Sequence, residues 1–398
     1  MTGTPCKILI LTADAGFGHR SAANAVAEAL RIQYGSDVIV SIVNPLDDAL
    51  APPFLRDSQT DYDRWVKNVP ELYKIGYEAS DALIPTRMLE RTLSLLLYEV
   101  MKETFTRFEP DVVLSTYPMY QSALTRFFRL HKIHVPFYTV ITDLSTVHRL
   151  WFHKKVDGCL VPNQVVADLA LSYEQPPKKI CITGIPVHPD IYREKRTANE
   201  IRKELGWQPD LTTLLAVGSS RVDQLMEMLN VVNHYGAPLQ LAVVAGRNEE
   251  LFNQLNQYTW HIPVHLYDFV EQMSPLQKAS DLVICKAGGL IVTESLACGL
   301  PLILVEIIPG QEAGNAELVT TSGAGDMAET PIQMLEVLNH LLQDGQKLLK
   351  ERARNALALG KPESAFSVAA ILWKAAHRRA ASKSPRKNLL PAADRKPG

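Results

Sequence analysis

The stretch ILTADAGFGHRSAANAVAEAL, from Ile10 to Leu30, sets two glycines and a histidine between an apolar run and an alanine-rich helical pattern. Gly16 and Gly18 let the chain turn tightly and bring backbone N–H groups close to a ligand, and a helix beginning near Ser21 adds unpaired donors and the positive end of its dipole. The turn lacks the third glycine of a dinucleotide fingerprint and no Gly-Lys-Ser/Thr follows, so neither NAD nor a P-loop nucleotide is indicated. His19, directly after Gly18, stands where a neutral imidazole can take a proton from a substrate hydroxyl. A helix-capping histidine is the equal alternative on these residues alone.

Four later stretches carry further chemistry. In GSSRVDQL, Gly218, Ser219 and Ser220 follow the apolar run TTLLAV, where backbone N–H groups and hydroxyls suit a diphosphate. KAGGLIVTE places Gly288, Gly289 and Leu290 at a second helix start with Glu294 about one turn on; the alternative is an exposed glutamate stabilised by the helix dipole. PGQEAGN brings Gln311, Glu312 and Asn315 onto a turn entering a helix, dense enough in amide and carboxylate to bind several hydroxyls, although an ordinary helix start reads the same way. TDLSTVHRLWFH gathers Asp143, His148, Trp151 and His153, but the histidine spacing does not set both rings on one helical face and no acidic pair accompanies them. No metal and no cofactor are expected.

These residues need strand ends and helix starts to hold them, and the pattern supplies both. Short runs that are apolar almost throughout (CKILILTA, DVVLST, FYTVITD, GCLVP) alternate with helical segments, the mark of a parallel sheet covered on both faces. The polar, proline-flanked stretch after Ile185 reads as a linker with a short helix, and the alternation then restarts at TTLLAVG. The expected division is a first α/β domain over residues 1–190, a linker at 191–209, a second α/β domain at 210–360, a helix at 361–380 and a basic, disordered tail at 381–398. Two such domains in series enclose a cleft at the carboxyl ends of their strands. Within the first domain, residues 52–108 form a helical insertion whose piece PTRMLERTLSLLLYEVMKETFTRF has an apolar stripe beside cations. That stripe packs inward or lies against lipid.

The 398 residues are 46% hydrophobic and 21% charged, enough for two cores, and the net charge of −2 gives no basic field for nucleic acid. Five cysteines in no paired spacing fit a reducing compartment, and no apolar run is long enough to span a bilayer.

The blocks TADAGFGHRSAANAVAEAL, TVITDLSTVHRLWFHKKVDGCLVPNQ, KICITGIPVHPDIY, DLVICKAGGLIVTESLACGLPLIL and IPGQEAGNAELV follow one another between residues 7 and 325. Together they resemble the lipid-linked sugar transferases that comprise monogalactosyldiacylglycerol synthases and bacterial diacylglycerol glucosyltransferases. More distantly they are similar to the peptidoglycan N-acetylglucosaminyltransferase. The resemblance implies a GT-B fold, two Rossmann-like doubly wound domains facing a cleft, with acceptor on the first and UDP-sugar on the second. It implies inverting transfer of galactose or glucose from a UDP-sugar to diacylglycerol, giving a β-glycosyl diacylglycerol. Enzymes of the same fold with another lipid acceptor, or a UDP-sugar epimerase, are the alternatives.

Under this resemblance His19 is the acceptor-side base, with Gly18, Asp143, His148 and Trp151 flanking the acceptor cleft and Trp151 at the level of lipid headgroups, a core or domain-interface tryptophan being its equal alternative. On the donor side Glu294 takes the ribose hydroxyls and Phe269 offers its backbone to uracil, a buried strand residue being its alternative. Arg247 sits near the phosphates or is merely solvated. The expected partners are UDP-sugar, diacylglycerol and an anionic lipid surface, and the expected place is cytoplasmic, peripheral on the inner face of the cell membrane.

Overall fold

A computed structural model describes residues 4–15, 17–57, 81, 83–218, 224–307 and 312–383. The first sheet contains β1 (Cys6–Leu11), β2 (Val38–Val43), β3 (Val112–Ser115), β4 (Phe137–Val140), β5 (Gly158–Val161) and β6 (Ile180–Ile182), in the order β2-β1-β3-β4-β5-β6 and parallel throughout. The second contains β7 (Thr212–Val217), β8 (Leu239–Val244), β9 (Val264–Tyr267), β10 (Leu282–Lys286), β11 (Leu302–Glu306) and β12 (Gly325–Met327), in the order β12-β11-β10-β7-β8-β9, also parallel. Central strands such as β1, β3 and β8 are buried on both faces, which is why they read as unbroken apolar runs.

Strand order reverses between β1 and β3 in the first sheet and between β7 and β10 in the second. Loops at such a reversal diverge to opposite faces and leave a crevice at the carboxyl edge. Helix α1 (Phe17–Tyr34) leaves the first crevice, directly after β1. In the insertion, α2 (Leu83–Leu96) and α3 (Tyr98–Phe108) bury Leu93, Leu97, Val100 and Met101 against α4 (Gln121–Leu130). Helix α2 also leaves Ile84, Met88 and Leu95 more than 60% exposed. The apolar stripe read in the sequence therefore divides between an inner and an outer face. From the second crevice α5 (Gly289–Ala297) follows β10, and α6 (Ala313–Thr321) follows β11.

Two connections cross between the domains, and the first differs from the expected linker. Most of the stretch read as a linker is built into the second domain. Thr197 closes a capping box with Glu200, Ile201 and Trp207 are buried in that domain's core, and Trp207 Nε1 donates to the Tyr267 hydroxyl at 3.0 Å. Arg202, also buried, donates to the Ala279 carbonyl at 2.7 Å and to Asp281 Oδ2 at 2.7 Å. The last helix, α7 (Ser364–Lys383), returns to the first domain and inserts Val368, Ala369 and Leu372 among Ile8, Ile10 and Val26. Where the crossings meet, the Val187 amide donates to Ser364 Oγ at 3.2 Å. Among the described residues no helix is long and apolar enough to cross a membrane.

Candidate functional site

The first crevice is organised around His19, in the opening turn of α1. Asp14 accepts two hydrogen bonds from the Arg20 guanidinium, at 2.8 and 2.7 Å, and one from Asn44 Nδ2 at 3.2 Å, which ties the turn to the end of β2. Tyr120, fully buried, donates to the Thr12 carbonyl at 2.9 Å and braces the same turn from α4's N-terminal end. The His19 ring then lies edge-on to Tyr117 at 5.0 Å and 5.9 Å from Trp151, with Nδ1 paired to Thr142 Oγ1 at 2.7 Å. Burial lowers its pKa to about 4, against a smaller opposing effect of the Thr116 backbone carbonyl. His19 is thus neutral at pH 7, the state a proton acceptor requires.

Three residues expected to flank the acceptor cleft are tied into the fold around it. Trp151 is buried, 1% exposed, and donates from Nε1 to Asp143 Oδ2 at 2.6 Å. It walls the His19 ring instead of reaching lipid headgroups, because the indole N–H finds its partner inside the fold. Asp143 in turn holds Trp151. His148 caps the 3-10 turn Arg149–Trp151, its Nδ1 accepting from the Leu150 amide at 3.0 Å, and Asp81 lies 3.7 Å away. His153 accepts from the Lys155 amide at 3.3 Å. The two histidines thus cap separate turns and converge on no shared point. A Cβ at Gly18 would meet nothing within 4 Å among the described residues.

The second crevice is formed by the N-terminus of α5. Gly288 is the N-cap, and Gly289 and Leu290 lie in the first turn, whose amides have no intrahelical acceptors. Beside it Lys286 Nζ donates to Glu312 Oε1 at 2.7 Å in a largely buried ion pair. A Cβ at Gly288 would stand 3.2 Å from Lys286 Cε and 3.6 Å from Glu312 Oε1, so glycine is what admits this pair to the helix end. The β10–β11 register shifts between Cys285 and Lys286, the kind of irregularity that re-aims a side chain at a sheet rim. Glu294, one turn into α5, is partly buried, and desolvation raises its pKa to about 7 while Gln277 beside it acts in the opposite direction.

Other donor-side expectations are revised. Gly218 does not present its amide to a phosphate, because that N–H donates to the Val244 carbonyl at 2.8 Å. The missing Cβ instead makes room for Leu251. Asn315 is buried, its Nδ2 donating to the Ala287 carbonyl at 2.9 Å and locking α6 to the turn before α5. Glu312 is likewise buried, as the partner of Lys286. Phe269 is 40% exposed beyond β9, not a buried strand residue, and Arg247 lies over its ring at 4.0 Å. Arg247 has a φ of 63°, and its amide donates to the Asp268 carbonyl at 3.2 Å, so the pair forms one fixed rim. Gly16, Ser219, Ser220 and Gln311 lie outside the described residues.

The two crevices face each other. A Cβ at Gly289 would stand 3.7 Å from the Thr142 carbonyl oxygen, so the residue that pairs with His19 also abuts the helix end of the donor side. Thr142 and Lys286 were not singled out from sequence. Thr142 stands two residues past the end of β4 and Lys286 ends β10, and a polar residue at the carboxyl edge of an apolar strand is the signal that would have found them.

Comparison with known proteins agrees with this arrangement. The family described as monogalactosyldiacylglycerol (MGDG) synthase matches residues 19–187, and the glycosyltransferase family 28 C-terminal domain matches residues 212–368. Monogalactosyldiacylglycerol synthase 3, chloroplastic, of Arabidopsis thaliana is 34% identical over 91% of this chain and 79% of its own length. A probable synthase of Glycine max is 32% identical over 92% and 70%. Among solved structures, MurG of Acinetobacter baumannii covers 93% of this chain and 100% of its own with a TM-score of 0.60 at 15% identity. Staphylococcus aureus MnaA with UDP covers 91% and 94%, with a TM-score of 0.58 at 14% identity. These two share the GT-B fold. The relatives' names also overturn the expected place on the cytoplasmic face of a cell membrane, since they are plant chloroplastic proteins. With both halves of the chain matched and the two crevices apposed, the protein belongs to the monogalactosyldiacylglycerol synthase family.

Proposed function

We propose that the protein transfers galactose from UDP-galactose to the primary hydroxyl of diacylglycerol, with inversion, to give a β-galactosyl diacylglycerol. The observation that carries this reading is the chain of contacts from His19 through Thr142 to the N-terminus of α5, which sets a neutral imidazole opposite a helix end suited to a diphosphate. In the proposed step the acceptor oxygen attacks the anomeric carbon as the bond to the UDP oxygen breaks. His19 takes the acceptor proton, and the first-turn amides of α5 with Lys286 meet the charge growing on the departing diphosphate. Glu294 accepts from the ribose hydroxyls. The Arg247–Phe269 rim borders the base.

The acceptor lies in a lipid surface, and we assign α2 to that contact. Ile84, Met88, Arg91 and Leu95 share its outer face with Arg87 beside them, and α2 packs against the Arg149–Trp151 turn that walls His19. Apolar residues interleaved with cations suit an anionic bilayer surface. No metal is assigned to the step, and chelation with EDTA is expected to leave turnover unchanged. The decisive assay supplies radiolabelled UDP-galactose, and in parallel UDP-glucose, with mixed lipids and separates the lipid products. A labelled diacylglycerol hexoside formed faster from UDP-galactose is expected. Label recovered only in water-soluble sugar would overturn the reading.

A further inference from the structure

Residues Thr142–Thr146, the loop after β4, touch His19 and the second domain at once. Thr142 Oγ1 pairs with His19 Nδ1 at 2.7 Å, and the Thr142 carbonyl oxygen faces Gly289 at the start of α5. Leu144 is 7% exposed, and its apolar neighbours belong to the second domain's cluster with Cys285, Ala287 and Val292. A Cβ at Gly314, in the first turn of α6, would collide with Thr146 Oγ1 and come within 3.0 Å of Ser145 Oγ and 3.2 Å of Ser145 Cβ. One residue of the first domain steadies the loop from behind: Asn163 Nδ2 donates to the Leu144 carbonyl at 2.7 Å.

We infer that this loop is a positioning device, in which docking of the second domain on Leu144, Ser145 and Thr146 sets Thr142 and thereby the His19 ring. The inference rests on the proposed role of His19 as base. Its physical basis is the shortness of the path. A single residue, Asp143, separates the Leu144 knob from the Thr142 hydroxyl on His19, and the donor-side helix ends bear on the two ends of the loop, α5 on Thr142 and α6 on Ser145 and Thr146. A shift of Leu144 is therefore transmitted through a single turn of backbone, and a displaced base loses rate where substrate binding does not. The loop would make the base competent only when the donor-binding domain is seated. That would limit attack on the sugar by water in an unseated enzyme.

The test uses full-length protein with 15N-labelled histidine, the His19 signals being assigned by their loss in His19→Gln. Thr142→Val removes the hydroxyl and defines the shifted signal. Leu144→Ala is expected to move the His19 ring signals in the direction of Thr142→Val and to lower kcat roughly 10- to 100-fold, while UDP affinity stays within about twofold. Leu144→Met is expected to restore both. Gly314→Ala, which acts from the other domain, is expected to repeat the shift and serves if Leu144→Ala fails to fold. His19 signals unmoved in Leu144→Ala and Gly314→Ala would overturn the inference. Signals that move as expected in a protein that forms no glycolipid would leave the positioning device standing and remove the proposed function.

Discussion

His19 and Glu294 are both desolvated, and the effects on their chemistry differ in sign. Burial holds the imidazole neutral with a pKa of about 4, so protonation does not limit it above about pH 5. His19→Ala is expected to lower kcat by roughly 10²- to 10⁴-fold with little change in UDP affinity, measured by steady-state kinetics and calorimetry. The carboxyl of Glu294 is pushed up to about 7, and ribose hydroxyls that donate to it favour its charged form. Binding in the proposed pose is therefore expected to release a proton. UDP affinity is expected to be constant above about pH 7 and to weaken by up to ~tenfold per unit below it. Glu294→Gln is expected to bind roughly 10- to 100-fold more weakly, the worth of hydrogen bonds to a charged group, and to lose this pH dependence. A pH-independent affinity in the unaltered protein would remove Glu294 from the ribose.

At the scale of elements, helix α7 is the element whose packing partner the sequence left open. Its apolar face fills the first domain's core although it follows the second in the chain, and Trp373 stacks on Tyr34 of α1 at 4.4 Å. Leu372 is fully buried there, so Leu372→Ala is expected to cost about 2–5 kcal/mol. The loss should appear in denaturant unfolding followed by a first-domain probe. The alternation of apolar runs and helical patterns was enough to place both sheets, because strands buried on two faces have no polar positions to blur the pattern. It did not place α7, since an amphipathic helix announces a buried face without naming what covers it. The site shows the same division. His19, Gly288 and Glu294 were legible because glycine turns at strand ends are local signals. The engagement of Trp151 with Asp143 and of Glu312 with Lys286 was not legible, because each partner choice depends on tertiary packing. The Arg202 anchor was missed for that reason too: its acceptors, Ala279 and Asp281, lie far along the chain.

For the whole molecule, the question is how a donor that lives in water meets an acceptor that lives in lipid. The base crevice and the outer face of α2 are joined through the Arg149–Trp151 turn, so a bilayer on that face lies on the acceptor side of the cleft while α5, where the diphosphate is proposed to bind, belongs to the other domain. The net charge of −2 offers no general attraction to an anionic surface, which leaves the work to local cations such as Arg87 and Arg91. Each such cation contributes about 1 kcal/mol near an anionic membrane, falling off within a Debye length, and the exposed apolar side chains add a term that salt does not screen. Binding to vesicles is therefore expected to fall only in part as salt is raised. Arg87→Glu combined with Arg91→Glu is expected to weaken flotation with anionic vesicles at low salt by roughly tenfold or more, with little effect at high salt. Met88→Asp is expected to weaken it at both. UDP affinity should be unaltered in all of these variants, because the donor site lies in the other domain. Equal flotation of neutral and anionic vesicles, unaffected by either set of changes, would show that another face meets the lipid.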